Sequence, residues 1–219
     1  MSRRLRMSRR LRRYRQHTRP AANQSRQLLA ALGFALLLFC ASLPAAATCA
    51  EIDPLDILPA DEACPGWVRD GEPMTAYTLE ELTLIINGEA YLYDQYGFVA
   101  AAFQNYAGEV LGVPTYLTLS AFNQGTAENA AALYHDPNSG SGDPVPDWSG
   151  SGEARVRVDF GFVTFQFWEA CFFVSIVVGS GGEDAVPAAR CMAEEAVRLI
   201  EDPAPAGSRG WGRIKSLYR

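Results

Sequence analysis

The stretch "TLEELTLIINGEAYLYDQYGF", Thr78 to Phe98, decides between two folds. Read as Asn-Gly between two apolar runs, it is a β-hairpin turning at Asn87-Gly88. Read from its beginning, it is a helix. Thr78-Leu79-Glu80-Glu81 is a capping box, in which the Thr78 hydroxyl takes the Glu81 amide and the Glu81 carboxylate returns to the Thr78 amide. Leu79, Leu82, Ile86, Tyr93 and Tyr96 fall within a sector of about 100° on a helical wheel. Thr83 to Ile86 shows no polar/apolar alternation. The helix is therefore the expectation, with an internal Gly88 costing about 1 kcal/mol.

A continuous helix has a consequence for one side chain. Carrying the helical phase through Gly88 brings Glu89 near the middle of the apolar face. Asn87 then lies on the opposite side with Glu80, Tyr91 and Asp94. A carboxylate on a core face must be paired, be protonated or border a cavity, which makes Glu89 a candidate site residue. A kink at Asn87-Gly88 would instead reset the phase and turn Glu89 to solvent. The candidate ligand-binding residues are Asn87, Glu89, Tyr91 and Asp94.

The N-terminus has the pattern of an export signal. Residues 1–26 carry ten Arg and no acid, an apolar run extends from Leu28 to Leu43, and "PAAATCA" supplies an A-x-A site ending at Ala47. That run is 16 residues long, short of the roughly 20 needed to span a bilayer. Cleavage after Ala47 is the first expectation, and an uncleaved anchor oriented by its arginines is the alternative. Lipidation at Cys49 is disfavoured by Ala46 and Thr48 in the positions before it. The expected location is periplasmic or secreted, with membrane contact only if the segment stays uncleaved.

Beyond Ala47 the chain carries nine Lys and Arg against 25 Asp and Glu, a net charge of −16. A phosphate backbone demands a basic footprint, so nucleic acid is excluded as a partner. The one basic cluster is "SRGWGRIKSLYR", after the linker "EDPAPAG". Four cysteines remain, Cys49, Cys64, Cys171 and Cys191, and an even count in an exported protein suggests disulfides. Cys49–Cys64, flanking "AEIDPLDILPADEA", is the first choice and Cys171–Cys191 the second. A strand-opening Cys171 and a mid-helix Cys191 would sit at different heights, so two buried thiols are the alternative for that pair. The absence of Cys-x-x-Cys gives no indication of a redox motif or a zinc site, and no metal or cofactor is called for.

About 172 residues after Ala47 suit one domain. Residues 48–77 are rich in Pro and acids and read as irregular, 78–202 as the folded domain and 203–219 as a basic tail. "FVAAAFQNYAG" and "PTYLTLSAFNQG" read as paired strands, and "TAENAAALYHD" as a short helix capped by Thr126. Residues 136–153 form a long loop rich in Gly, Ser, Pro and Asp. "ARVRVDFGFVTFQFW" alternates, with Val156, Val158, Phe160 and Phe162 on one face, Arg155, Arg157 and Asp159 on the other, and a bulge expected near Gly161. "ACFFVSIVVG" is apolar on both faces, as a central strand is, and a helix through Cys191 ends the domain. The order α-ββ-α-ββ-α predicts an α+β fold: an antiparallel sheet of about four or more strands with helices in a second layer.

"INGEAYLYDQYGF" resembles the Y-I-N-G-G-A-E-L-Y-L-x-Y-G-F signature of a bacterial family of exported proteins of unknown function. Ile86, Asn87, Gly88, Ala90, Leu92, Tyr93, Tyr96, Gly97 and Phe98 match it. "PGW" at Pro65 to Trp67, "GTAENAAALY" at Gly125 to Tyr134 and the aromatic-rich "FQFWEACFFVSIVV" extend the resemblance over about residues 66–202. The family's acid falls where this chain has Tyr91, and Glu89 stands where the family has Gly. The resemblance implies export and an α+β domain, and it implies no reaction.

Other constellations point to blander roles. His135, beside Asp136, lacks the G-x-S-x-G elbow of a hydrolase triad and suits a helix C-terminus. Asp136, Asn138, Asp143 and Asp147 are oxygen ligands of the kind calcium takes, but Gly140 and Ser141 hold the wrong places and three prolines interrupt. "GSGGED" at Gly179 to Asp184 lacks the Lys and Ser/Thr of a P-loop. The functional expectation is a non-catalytic binding or interaction module of the cell envelope, its partner a small molecule or an envelope protein. The alternatives are a carboxylate-dependent hydrolase using Glu89 with Asp94 or Glu109, and a membrane-anchored structural protein.

Overall fold

The computed structural model describes residues 52–203. The expected export signal, Cys49 and the tail from residue 204 on lie outside the described residues. A 3₁₀ turn at Pro54–Ile57 leads to strand β1 (Val68–Ala76) and helix α1 (Leu79–Ile86). A 3₁₀ turn at Asn87–Glu89 separates α1 from helix α2 (Ala90–Gln95). Strands β2 (Ala100–Val110) and β3 (Val113–Asn123), helix α3 (Ala127–His135), and strands β4 (Asp143–Pro144), β5 (Ala154–Asp159), β6 (Phe162–Glu169) and β7 (Phe172–Val178) follow. Helix α4 (Val186–Glu201) ends the domain. The seven strands form one antiparallel sheet in the order β1-β2-β3-β7-β6-β5-β4, an α+β fold.

The Thr78–Phe98 stretch is helical and broken. The Thr78 hydroxyl accepts from the Glu81 amide at 3.2 Å, and the Glu81 carboxylate returns to the Tyr77 amide, one residue earlier than expected, at 2.7 Å. Asn87 stops the first helix with φ 56° and ψ −136°, a backbone conformation that glycine occupies freely and residues with a Cβ avoid. The phase therefore resets, and the continuous helix gives way to two short ones. Leu82 and Ala90 are fully buried on the sheet, while Leu79, Ile86, Leu92, Tyr93 and Tyr96 pack around them. The Tyr93 ring stacks on Phe122 with centroids 3.9 Å apart.

Helices cover both faces of the sheet, which corrects the two-layer expectation. On one face α4 and the Pro54–Ile57 turn cover Leu117, Leu119, Val163, Phe165, Phe172, Val174 and Ile176, all fully buried. On the other, α1, α2 and α3 cover Phe103, Phe122 and Phe173. The expected α-ββ-α-ββ-α order also lacks three strands. β1 is interrupted between Asp70 and Met74, where Gly71 and Pro73 hide its alternation. β4 is two residues long. The segment read as one bulged strand is a hairpin, because Phe160 (φ 50°) and Gly161 (φ 89°) both take the left-handed conformation of a type I′ turn. Phe162 thereby leaves the face of Val156 and Val158 and joins that of Arg157 and Asp159, its register partner.

β7 takes the middle of the sheet, paired on both sides, as its apolar composition predicted. A disulfide joins Cys64 to Cys191, with Cα atoms 5.9 Å apart. This corrects both expected pairings, Cys49–Cys64 and Cys171–Cys191. Trp67 lies over Gly108, where a Cβ would come within 2.6 Å of the indole. Cys171 is buried immediately before β7, beside Phe172.

Candidate functional site

Strand pairing dictates what the helix-free part of the second face presents. Phe122, Ser120, Thr118 and Tyr116 alternate along β3, with Phe173, Ser175 and Val177 beside them on β7 and Trp168, Gln166, Thr164 and Phe162 on β6. The face is apolar under α1–α3 and turns polar where they stop. A cavity of about 380 Å³ lies at that border. Its floor is Thr164, Gln166 and Ser175. One wall is Glu89, Leu92 and Tyr93 from the kinked helix, and the other is Arg157 with the loop Asn138–Ser141.

The loop wall is fixed by a buried arginine. Arg155 donates from Nε to the Gln166 side-chain carbonyl (2.9 Å), from Nη1 to the Tyr134 carbonyl (2.8 Å) and from Nη2 to the Ser139 hydroxyl (3.0 Å). Its guanidinium lies 4.4 Å from the centre of the Tyr134 ring, a cation–π arrangement. Burial, reinforced by Arg157, holds the Arg155 pKa below the ordinary guanidinium value. The Gln166 amide donates to the Ser139 carbonyl at 2.8 Å, so both ends of that side chain are spent and its orientation is set. Gly140 is required beneath it, since a Cβ there would come within 2.5 Å of the Gln166 side-chain oxygen.

The two walls are also joined. The Tyr96 hydroxyl donates to Asp136 at 2.6 Å, and Asp136 accepts from the Asn138 amide at 2.7 Å. These bonds lower the Asp136 pKa and raise that of Tyr96. Tyr93, at the cavity, is pushed well above the ordinary phenol value by burial and by Glu89, so it remains a neutral hydroxyl. Arg157 spends its Nε on Asp159 at 2.8 Å. The Glu89 carboxylate and the Tyr93, Thr164 and Ser175 hydroxyls make no hydrogen bond among the described residues. A cavity whose polar groups are already spent holds itself together, whereas this one keeps donors and acceptors for something else.

Of the residues singled out in sequence, Glu89 reaches the cavity. It is exposed at the rim rather than set in an apolar face, because the kink reset the phase. Asn87, Tyr91 and Asp94 are not among the residues that line it. Glu109, the other suggested acid, lies in a separate cavity of about 300 Å³ beside Trp67 and the disulfide. His135 bonds Glu153 at 3.1 Å on the surface. Among the described residues no cluster of three or more His, Cys, Asp or Glu converges for a metal ion. In "GSGGED", the Gly182 amide is spent on the Gly161 carbonyl at 2.9 Å.

Sequence reasoning missed the floor, although a signal was present. Thr164 and Gln166 in "VTFQF" alternate and so share one face of their strand, and Ser175 interrupts the apolar "FFVSIVV"; polar groups in such strands need partners, water or a ligand. No protein-family model, curated protein or solved structure matches this chain.

Proposed function

We propose that this protein is a binding module of the cell envelope, exported to the periplasm or beyond, that takes a polar ligand in the cavity between the kinked helix and the Asn138–Ser141 loop. The observation that carries this reading is the set of unspent polar groups, Glu89, Tyr93, Thr164 and Ser175, facing one cavity whose loop wall is held by buried hydrogen bonds. Preorganised groups without internal partners bind a ligand at little ordering cost. The Cys64–Cys191 bond supports an oxidising compartment, as does the resemblance of Ile86 to Phe98 to an exported family's signature.

The hydrolase alternative is less well supported. Glycosidic and related carboxylate mechanisms place two acids across the scissile bond, and Glu89 is the cavity's single carboxylate among the described residues. The experiment is a thermal-shift screen of the chain from residue 48 against sugars, amino acids, short peptides and organic anions, followed by calorimetry. A ligand that stabilises the wild type and fails to stabilise Ser175→Leu, which fills the floor, supports the reading. Equal stabilisation of both proteins by every ligand found would refute it.

A further inference from the structure

The polar cavity does not end at its floor. Thr164 pairs with Val177, and Val177 with Thr118, so the row next to Gln166–Ser175–Ser120 continues across the same face. Thr118 donates to the Asn105 side chain at 2.8 Å, extending this polar surface onto β2. One row further on, Tyr116 and Phe162 stand on the strands either side of β7, next to the Leu117–Val178–Val163 row and on the opposite face from it. They are 63% and 50% exposed, and Val177 is 37% exposed. Gly179, whose amide donates to the Tyr116 carbonyl at 2.9 Å, follows β7 at this level and carries no side chain. Four residues of strand separate this aromatic row from the Gln166–Ser175 row, about 14 Å, and two strand spacings, roughly 10 Å, separate the rings from each other.

We propose that this face binds an uncharged oligosaccharide, with one end in the cavity and the next sugar units lying across Val177 between Tyr116 and Phe162. This rests on the reading of the cavity as a ligand site. Three observations converge on that ligand class. The floor offers the Thr164 and Ser175 hydroxyls, with Tyr93 beside them, groups that both donate and accept, which matches a ligand dense in hydroxyls. Arg157, the one cation of the cavity lining, is already paired with Asp159, so Glu89 is left as a hydrogen-bond acceptor and no free cation awaits an anion. The fold as a whole has 24 acids against five Arg and no Lys over residues 52–203, which repels an anionic ligand. Finally, rings exposed beside a polar floor suit the two sides of a pyranose, whose C–H faces are apolar and whose rim is hydroxylated. An extended peptide would instead seek the backbone donors and acceptors of a sheet edge, and this is a sheet face.

The experiment is calorimetry on the chain from residue 48, using glucose, cellobiose and cellotetraose and the matching N-acetylglucosamine oligomers as probes. In at least one series the tetrasaccharide should bind roughly tenfold or more tighter than the disaccharide, about 1.4 kcal/mol. In the double variant Tyr116→Ala/Phe162→Ala that gain should vanish while disaccharide affinity stays unchanged. Added salt should leave both affinities alone, as for an uncharged ligand. Both substitutions are at exposed positions, and an unchanged melting temperature verifies the fold. Equal affinity at every length, or a gain that survives the double variant, overturns the aromatic strip but leaves the cavity as a ligand site. Binding of amino acids or peptides alone overturns the ligand class. Failure of every ligand in the wider screen overturns both readings.

Discussion

The Tyr96 hydroxyl donates to the Asp136 carboxylate at 2.6 Å, joining the end of the kinked helix to the loop on the other side of the cavity. Neither residue lines the cavity, yet the bond ties together the two segments that carry its walls. Asp136 has a lowered pKa, first because of Tyr96, so its contribution to stability is complete above the ordinary carboxylate range and is lost as pH falls through the lowered folded value. Tyr96 has a raised pKa, so its contribution is complete below the ordinary phenol value and is lost as pH rises through the folded one. Tyr96→Phe should therefore lower the melting temperature most in the neutral range and flatten both flanks of its pH profile. Parallel profiles for wild type and variant would show that the bond does not form in solution.

Arg155 tests the loop wall. Its guanidinium satisfies the Tyr134 carbonyl, the Ser139 hydroxyl and the Gln166 side chain at once. Arg155→Met keeps the volume of the stem but removes the donor to the buried Gln166 side-chain carbonyl and leaves the Tyr134 carbonyl only the Ser139 hydroxyl, at a cost of about 2–4 kcal/mol in urea unfolding. Arg155→Lys should recover only part of it, since an ammonium cannot reproduce the planar fork. A loss below about 0.5 kcal/mol, the size typical of a surface change, would mean that the network is dispensable.

Asn87 carries the kink. With φ 56° and ψ −136°, Asn87→Gly should stabilise the fold by up to about 1 kcal/mol, and Asn87→Ala should destabilise it by a similar amount. If the two effects have the same sign, the stretch is not broken at this residue.

The disulfide has a direct chemical check. An unreduced digest cut at Glu51 or Glu62 separates Cys49 from Cys64, and mass spectrometry should then find Cys64 joined to the peptide containing Cys191. Replacing both cysteines by Ser removes a link that spans 127 residues and should cost about 3–5 kcal/mol. A Cys49–Cys64 peptide would contradict the geometry.

Much of the fold is legible in local stretches of sequence. The capping box starts α1 where expected, Thr126 caps α3 by accepting from the Asn129 amide, and the run Phe172–Val178, apolar on both faces apart from Ser175, becomes the central strand. These are local rules, enforced within a turn of helix or a few strand residues. The kink at Asn87-Gly88 is legible too: the reading in which it resets the helical phase and turns Glu89 outward is the one the structure bears out.

What lies beyond the sequence depends on residues far apart in the chain. Whether Gly161 marks a bulge or a turn depends on which strand lies opposite, and that choice moves Phe162 to the other face. The pairing of Cys64 with Cys191 requires α4 to pack on the face that Trp67 and the Pro54–Ile57 turn also cover. Glu89 could be proposed from periodicity, but its neighbours Thr164, Gln166, Ser175 and Arg157 come from strands brought together by sheet registry. The sequence by itself determined the helix starts, four of the strand segments, the acidic composition and the polar interruptions in otherwise apolar strands. Only the tertiary structure decided that those interruptions share one face, because strand order is a long-range choice made by burying two apolar layers at once.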